Sequence, residues 1–421
     1  MKYIIYYYND NENFYIKNGY NNAIVRIPNN VVRKALQDND ICTNLEIQLR
    51  NNNFFAAETM CERIMQLLIA TSNRCNLKCP YCFEKFKNTY DLDEALQDSL
   101  LCFINQYLNK NSIRGIDITF TGGEPLINQK AIFRIIKKIK EYYSNSYELE
   151  FSLITNGTII QKDLIEQLTP EITIQITLDG YRSSHDELRI GDGVKSTFDL
   201  ICDNIDTLLA ETEAKIIIRV NMVSKEIDDY IKLLELLSNR WCDKYEEGRI
   251  SHYFAFLDVD PSDNRFIFSD EEKLNFIFRI VKKQVELGLP IPMEYKPGSE
   301  CMIRNTDGFA VDANGMIYNC FSFIGDEKYA VGSINQNDFK KRTKEQFFCK
   351  VKDCVFYEKC YGGCIYSNFI KTNKLEPVCN KNYIISVNKI LFAEKLDEKG
   401  IIHFNSKEEI LSAIKSTEIS S

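Results

Sequence analysis

Nowhere in the 421 residues does an uninterrupted apolar stretch reach the ~20 positions that a membrane-spanning helix needs. The opening, MKYIIYYYND, has one lysine, a short apolar run and then acidic and amide residues, so it does not read as a secretory signal. Positive charge is in deficit. The net charge is −8, which repels phosphate backbones and argues against a general nucleic-acid binder. Internal repeats and low-complexity blocks are missing as well. These absences predict a soluble, cytoplasmic protein that has neither a membrane nor a nucleic acid as partner.

Cysteine, by contrast, is abundant, with fifteen residues. In a reducing compartment, clustered cysteines point to metal or redox chemistry rather than disulfides. Ten fall in two groups, 75–82 and 301–379. The other five, Cys42, Cys61, Cys102, Cys202 and Cys242, read as small buried apolar residues.

With 44% hydrophobic residues the chain has ample material for a large core and is too long for most single domains. Residues 1–64 alternate short β-like runs (KYIIYYY, NFYIKNG, NAIVRIP, LEIQLRN) with amide-rich turns, and one helix-like segment starts at Pro28. They form a predicted small α+β unit. From residue 65 to about 290 the rhythm becomes strand–helix alternation. Apolar runs at 65–72, 115–121, 148–155, 172–178, 215–223 and 251–259 suit buried parallel strands, and amphipathic helices lie between most of them. An open sheet and a partial barrel both fit. The distinctive polar motifs each follow a strand: the first cysteine group, then TGGEP, TNGT and TLDG. In β/α folds sites are built at that end of the strands. Residues 260–300 read as linker and helix. Residues 291–385 are cysteine- and turn-rich and need staples to fold. A helix and a polar tail, 386–421, follow.

The first group reads TSNRCNLKCPYCFEKF. Three thiolates at C-x₃-C-x₂-C spacing can hold three irons of a cubane and leave the fourth open. Tyr81 would shield one side. The alternative is a zinc knuckle completed by a distant cysteine. Here the chain resembles the radical S-adenosylmethionine (radical SAM) superfamily, through Cys75, Cys79, Pro80, Tyr81, Cys82 and Phe83, then Gly122, Gly123, Glu124 and Pro125. The resemblance implies a partial (β/α)6 barrel in which Cys75, Cys79 and Cys82 hold a [4Fe–4S] cluster. Its open iron binds the amino and carboxylate groups of S-adenosylmethionine, and reductive cleavage yields a 5′-deoxyadenosyl radical. The GGE segment receives the cofactor's ammonium; glycines permit close backbone approach and Glu124 supplies the opposite charge. Asn156, Thr177, Arg189 and Arg219 are further expected contacts. Asp179, Gly180, His185 and Asp186 match related turns, with helix capping and a surface salt bridge as the alternative. Arg219 and Asn221, two apart on a strand, face the same way, towards a ligand or each other.

The second group resembles the SPASM extension of that superfamily, which carries two auxiliary clusters. By resemblance, Cys301, Cys320 and Cys364 serve the first, and Cys354, Cys360 and Cys379 the second, with Cys349 as a further ligand or a bystander. Gly362 and Gly363 match the extension's GGC ending. VDANGMIYNC predicts a hairpin that returns Cys320 beside Cys301. The first auxiliary site shows three cysteines, so one iron there could stay open. A zinc-ribbon pair is the competing reading.

The resemblance implies an enzyme acting on peptides or proteins: a maturase that crosslinks a ribosomally made precursor peptide by a thioether or carbon–carbon bond, or an anaerobic sulfatase maturase forming formylglycine. Phe321, where the sulfatase-type relatives place an Asp base, and the long leading unit favour the former. That unit could dock a leader peptide as an added strand or merely cap the barrel. A flavodoxin or ferredoxin is the expected reductant. Asp312 is the one guess at a substrate base. A non-catalytic cluster scaffold is the remote alternative.

Overall fold

The computed structural model describes residues 2–19, 21–55, 63–82, 84, 89–168, 172–191, 193, 196–257, 264–292, 301–336, 347–360 and 362–420. Phe83 and Cys61 lie outside them, as do residues 258–263 and 293–300 of the expected linker.

Six strands form the centre: β4 (Ile64–Ser72), β5 (Gly115–Gly122), β6 (Glu148–Thr155), β7 (Ile172–Leu178), β8 (Lys215–Met222) and β9 (Ile250–Phe256). They pair in parallel in chain order. These are the six runs expected from the sequence. Along them buried residues alternate with half-buried ones, so one face of each strand carries most of the core. The crossover helices present matching apolar stripes. Glu94–Lys110 starts on the Asp93 side-chain cap and buries Leu100, Phe103, Ile104, Tyr107 and Leu108. Gln129–Tyr143 buries Ile132, Ile135, Ile136, Ile139 and Tyr143, an i, i+3, i+4, i+7 pattern.

Beyond β4 the sheet continues with β10 (Gly308–Val311), parallel to β4, then β11 (Met316–Tyr318) and β12 (Ala330–Ser333). The expected hairpin is therefore present, with Ala310 opposite Tyr318, and it is stitched into the central sheet.

A second sheet has the order β13-β1-β2-β3, from β1 (Lys2–Asn9), β2 (Asn13–Asn18), β3 (Ile24–Pro28) and β13 (Lys415–Ser420). Two expectations are corrected here. LEIQLRN is not a strand; it lies inside the helix Asn39–Asn51, capped by Asp38. Its alternation is incidental, for Leu45 and Leu49 pack one helical face against the Phe54 cluster while Ile47 is exposed. The polar tail ends in a strand, for β13 pairs with Lys2–Tyr7 of β1. One face of this sheet rests on the helices Asn29–Ala35 and Asn39–Asn51 through Ile5, Ile16 and Ile27. Ile4, Tyr6 and Tyr15 on the other share a core with the helices Asp270–Glu286, Lys381–Glu398 and Lys407–Ala413. Among the described residues no helix is long and apolar enough to cross a membrane.

Candidate functional site

The loop after β4 carries Cys75, Cys79 and Cys82 and is held at several points. Lys78 N donates to Ile190 O at 2.9 Å, Leu77 bridges Gly191, and Arg74 pairs with Asp91 at 2.5 Å. The loop after β5 packs directly against it. Gly123 N donates to Ser72 O at 3.0 Å and Glu124 N to Arg74 O at 2.8 Å. A Cβ on Gly122 would stand 2.0 Å from Ser72 O, and one on Gly123 would stand 2.5 Å from Arg74 O. Only glycine permits this approach, and Gly122 also has φ +136°. TGGEP is thus the inner wall of the cysteine loop, with Pro125 buried behind it.

Glu124 is fully buried. Its carboxylate accepts from Leu126 N at 3.0 Å, Thr155 Oγ1 at 2.7 Å and Asn156 N at 2.8 Å. Burial pushes its pKa up, and those three donors oppose the shift. Asn156, just past β6, reaches the cysteine loop. Its Nδ2 donates to Asn76 Oδ1 at 2.8 Å and lies 3.9 Å from Cys75 Sγ. Glu84 escaped the sequence reading, because nothing in CFEKF marks it as buried. Burial, then the charge of Glu124, raises it to about 8, and its Oε2 has no partner among the described residues.

A second buried network closes the opposite side. Tyr81 donates its hydroxyl proton to Asp179 Oδ2, and Arg189 Nη1 lies 3.2 Å from the Tyr81 hydroxyl and 3.5 Å from Asp179. Asn221 Nδ2 donates to Asp179 Oδ1 at 2.9 Å, and Arg219 Nε to Asn221 Oδ1 at 2.8 Å. Arg219 and Asn221 do face the same way, and they bond each other. Thr177, nearly buried, is the register partner of Arg219. Arg189 is paired with Asp179 inside the protein, not at its surface. Burial opposes its charge, but Tyr81, Asp179 and Cys79 hold it charged. His185 Nδ1 accepts from Asp179 N at 3.1 Å; burial and then Arg189 push the imidazole well below its usual range, so it is neutral. Asp186 does cap a helix, accepting from Phe198 N at 2.9 Å.

Cys75 and Cys82 are open to solvent and Cys79 is half-buried. The surrounding protein mass still raises all three thiols, Cys82 to about 12. They are neutral until a ligand displaces their protons.

Residues 64–189 match the family described as "4Fe-4S single cluster domain". Over 337 residues the chain is 26% identical to the cysteine-type anaerobic sulfatase-maturating enzyme of Clostridium novyi, covering 72% of this chain and 87% of that one. It is also 26% identical over 375 residues to the radical SAM cyclopropyl synthase TigE of Paramaledivibacter caminithermalis, covering 79% and 75%. The fold is that of Streptococcus suis SuiB, solved with S-adenosylmethionine (TM-score 0.52, 15% identity, 90% of this chain and 98% of that one). The chain resembles radical SAM/SPASM enzymes.

In the second cysteine region the hairpin β10–β11 leads straight to Cys320. Cys301, Cys320 and Cys364 are mutual electrostatic neighbours, and burial raises Cys320 to about 12. Cys364 caps the helix Ile365–Thr372, its Sγ accepting from Ser367 N at 3.5 Å. Cys360 neighbours Cys354, and Cys354 and Cys379 both neighbour Lys381. Cys349 packs at Gly362, where a Cβ would stand 3.3 Å from its own and 2.4 Å from Pro377 Cβ. Among the described residues no three His, Cys, Asp or Glu side chains are grouped to hold a single metal ion.

Asp312 holds the hairpin turn, accepting from Asn314 N at 3.0 Å, Met316 N at 2.8 Å and the Tyr318 hydroxyl at 3.0 Å. That geometry suits a brace better than a base. Of the scattered cysteines, Cys202 is buried as expected, whereas Cys42, Cys102 and Cys242 are exposed on helices. A cavity of about 840 Å³ runs between β9, the helix Asp270–Glu286 and the second cysteine region, with Phe254, Phe256, Lys371 and Cys364 in its wall.

Proposed function

We propose that this chain modifies a ribosomally made precursor peptide by radical SAM chemistry, forming a thioether or carbon–carbon crosslink. The observation that carries the reading is the lacing of the three-cysteine loop to the GGEP loop. A cluster-bearing loop and a glycine cradle then share one wall. Cys75, Cys79 and Cys82 would hold a [4Fe–4S] cluster. Gly122, Gly123, Glu124, Pro125, Asn156, Thr177, Arg189 and Arg219 would surround S-adenosylmethionine. When bound, these groups supply a 5′-deoxyadenosyl radical that removes one hydrogen from a positioned carbon.

The chain's own residues orient and enclose. Glu124 and Glu84 place two carboxyl groups beside the cysteine loop, which a cationic ligand would favour in their ionised form. Asp179 and Arg189, with Asn221 bonded to Asp179, hold Tyr81 and through it anchor the cysteine loop. Cys301, Cys320 and Cys364, and Cys349, Cys354, Cys360 and Cys379, would hold two auxiliary clusters. The 840 Å³ cavity, ending at Cys364, has the volume for a few peptide residues. A flavodoxin or ferredoxin would supply electrons.

The peptide reading draws on the second sheet, whose β3 edge has no further strand among the described residues. An extended leader could add there. SuiB has been solved with its precursor peptide SuiA, a binding mode this chain would share in kind. Hydrogen exchange tests it: the amides of Ile24–Pro28 should gain protection when the precursor peptide is added, and unchanged exchange at saturating peptide removes the docking role.

Sulfatase maturation remains the second reading, on the strength of the similarity to the Clostridium novyi enzyme. Anaerobic incubation with a reductant, S-adenosylmethionine and the genomically adjacent peptide separates them. A crosslink appears as loss of two hydrogens with deoxyadenosine released. A cysteine converted to an aldehyde favours the sulfatase reading, and no deoxyadenosine at all defeats both.

A further inference from the structure

Arg304 follows Cys301 in a tight turn, with its N–H donating to Cys301 O at 2.9 Å. Its side chain turns inward and is only 6% exposed. Nε donates to Phe347 O at 3.1 Å, while Nη1 and Nη2 are both buried with no partner among the described residues. A guanidinium cannot shed its charge, so four N–H donors and a full positive charge stand unsatisfied in the interior. Burying a cation that way is strongly unfavourable unless anions face it.

The groups that do face it are thiols. Arg304 is an electrostatic neighbour of Cys301, which sits with Cys320 and Cys364, and of Cys360, which sits with Cys354. Ile303, Phe347 and Ile365 form an apolar wall beside it. The cation therefore lies near one member of each cysteine group, beside an apolar boundary where its field is weakly screened.

We propose that Arg304 is a shared counter-ion for the two auxiliary clusters, its Nη1 and Nη2 groups donating to sulfurs held by Cys301 on one side and Cys360 on the other. The proposal rests on both cysteine groups holding iron–sulfur clusters. A positive charge stabilises each cluster's reduced, more negative form, so Arg304 raises both reduction potentials together. It acts through the clusters and is a positioning residue.

The test uses anaerobically purified full-length holoenzyme, as wild type, Arg304→Met and Arg304→Lys. Iron and sulfide analysis comes first; a wild-type content below three cubanes overturns the cluster reading and this inference with it. With full content, a redox titration followed by electron paramagnetic resonance reads the auxiliary signals. In Arg304→Met the equilibrium constant for reduction should fall about tenfold at both clusters, about 59 mV each for a one-electron couple. Arg304→Lys, which keeps the charge and loses the fork, should lie between. Unchanged potentials, or a shift at one cluster alone, overturn the proposal. Clusters lost from the Met variant and kept by the Lys variant support it. Should both variants lose them, wild-type protein labelled with ¹⁵N-arginine decides. Hyperfine coupling of a guanidinium nitrogen to the reduced auxiliary signals supports the proposal, and its absence overturns it.

Discussion

At the residue scale the site is governed by buried charges that have their partners inside the protein. Asp179 has no exposed surface and receives Tyr81, Asn221 and Arg189. Asp179→Ala leaves the Arg189 guanidinium buried without its carboxylate. It should lower unfolding free energy by about 3–5 kcal/mol, measured by chemical denaturation, whereas Asp179→Asn should lose less. Cys75→Ala would remove one of the three proposed cluster ligands; anaerobic protein should then lose one cubane's worth of iron and all deoxyadenosine formation. His252 illustrates a titrating group away from the cysteines. Burial lowers its pKa to about 4; it accepts from Gln284 Nε2 at 2.9 Å and contacts the Tyr245 hydroxyl at 2.7 Å. The folded form binds its proton less readily than the unfolded chain, whose imidazole titrates near 6.5. Stability must therefore fall as pH drops from about 6.5 towards 4 and stop responding to this group below that. Denaturation midpoints across that range should show a shallower decline in His252→Gln.

At the scale of elements, the two sheets differ in what holds them. The central strands are closed by consecutive crossovers, so each is fixed by its immediate neighbours in the chain. The second sheet depends on β13, which arrives from the far end of the sequence to pair with β1. Truncation after Ile414 should expose the β1 edge and strip amide protection from Lys2–Asn9, while β4–β9 keep theirs. For the same reason, deleting residues 1–60 is a poor test of leader docking: Ile4, Tyr6 and Tyr15 belong to the core of the C-terminal helices. Loss of protection spreading from β1 into the central sheet would show the two to be one cooperative unit.

At the scale of the whole molecule, the region from Cys301 to Cys379 joins these bodies. Its hairpin extends the central sheet through β10, and Phe356 and Cys360 enter the core beneath the second sheet. Its remaining described segments are short turns and helices. An iron chelator under anaerobic conditions should raise hydrogen exchange across 347–379, where no strand is described, well before β4–β9 respond. Uniform exchange before and after chelation would mean that the region folds without clusters.

The cysteine triplet, the GGEP loop and all six central strands were legible in the sequence, because each is a local pattern. Thiol spacing is set by one short loop, and a run of β-branched residues needs no distant partner to read as a buried strand. The hairpin before Cys320 was legible for the same reason, through its Asn-Gly turn. The helix around Leu45 was not, because its period-two pattern is resolved only by what packs on either side. Nor did the sequence mark Glu84 or Arg304 as buried, bring Tyr81 to Asp179 across 98 positions, or pair the tail with β1. Those contacts join residues far apart in the chain. They exist because close packing of the assembled core leaves each charge, strand edge and thiol with one set of neighbours, which only the tertiary structure selects.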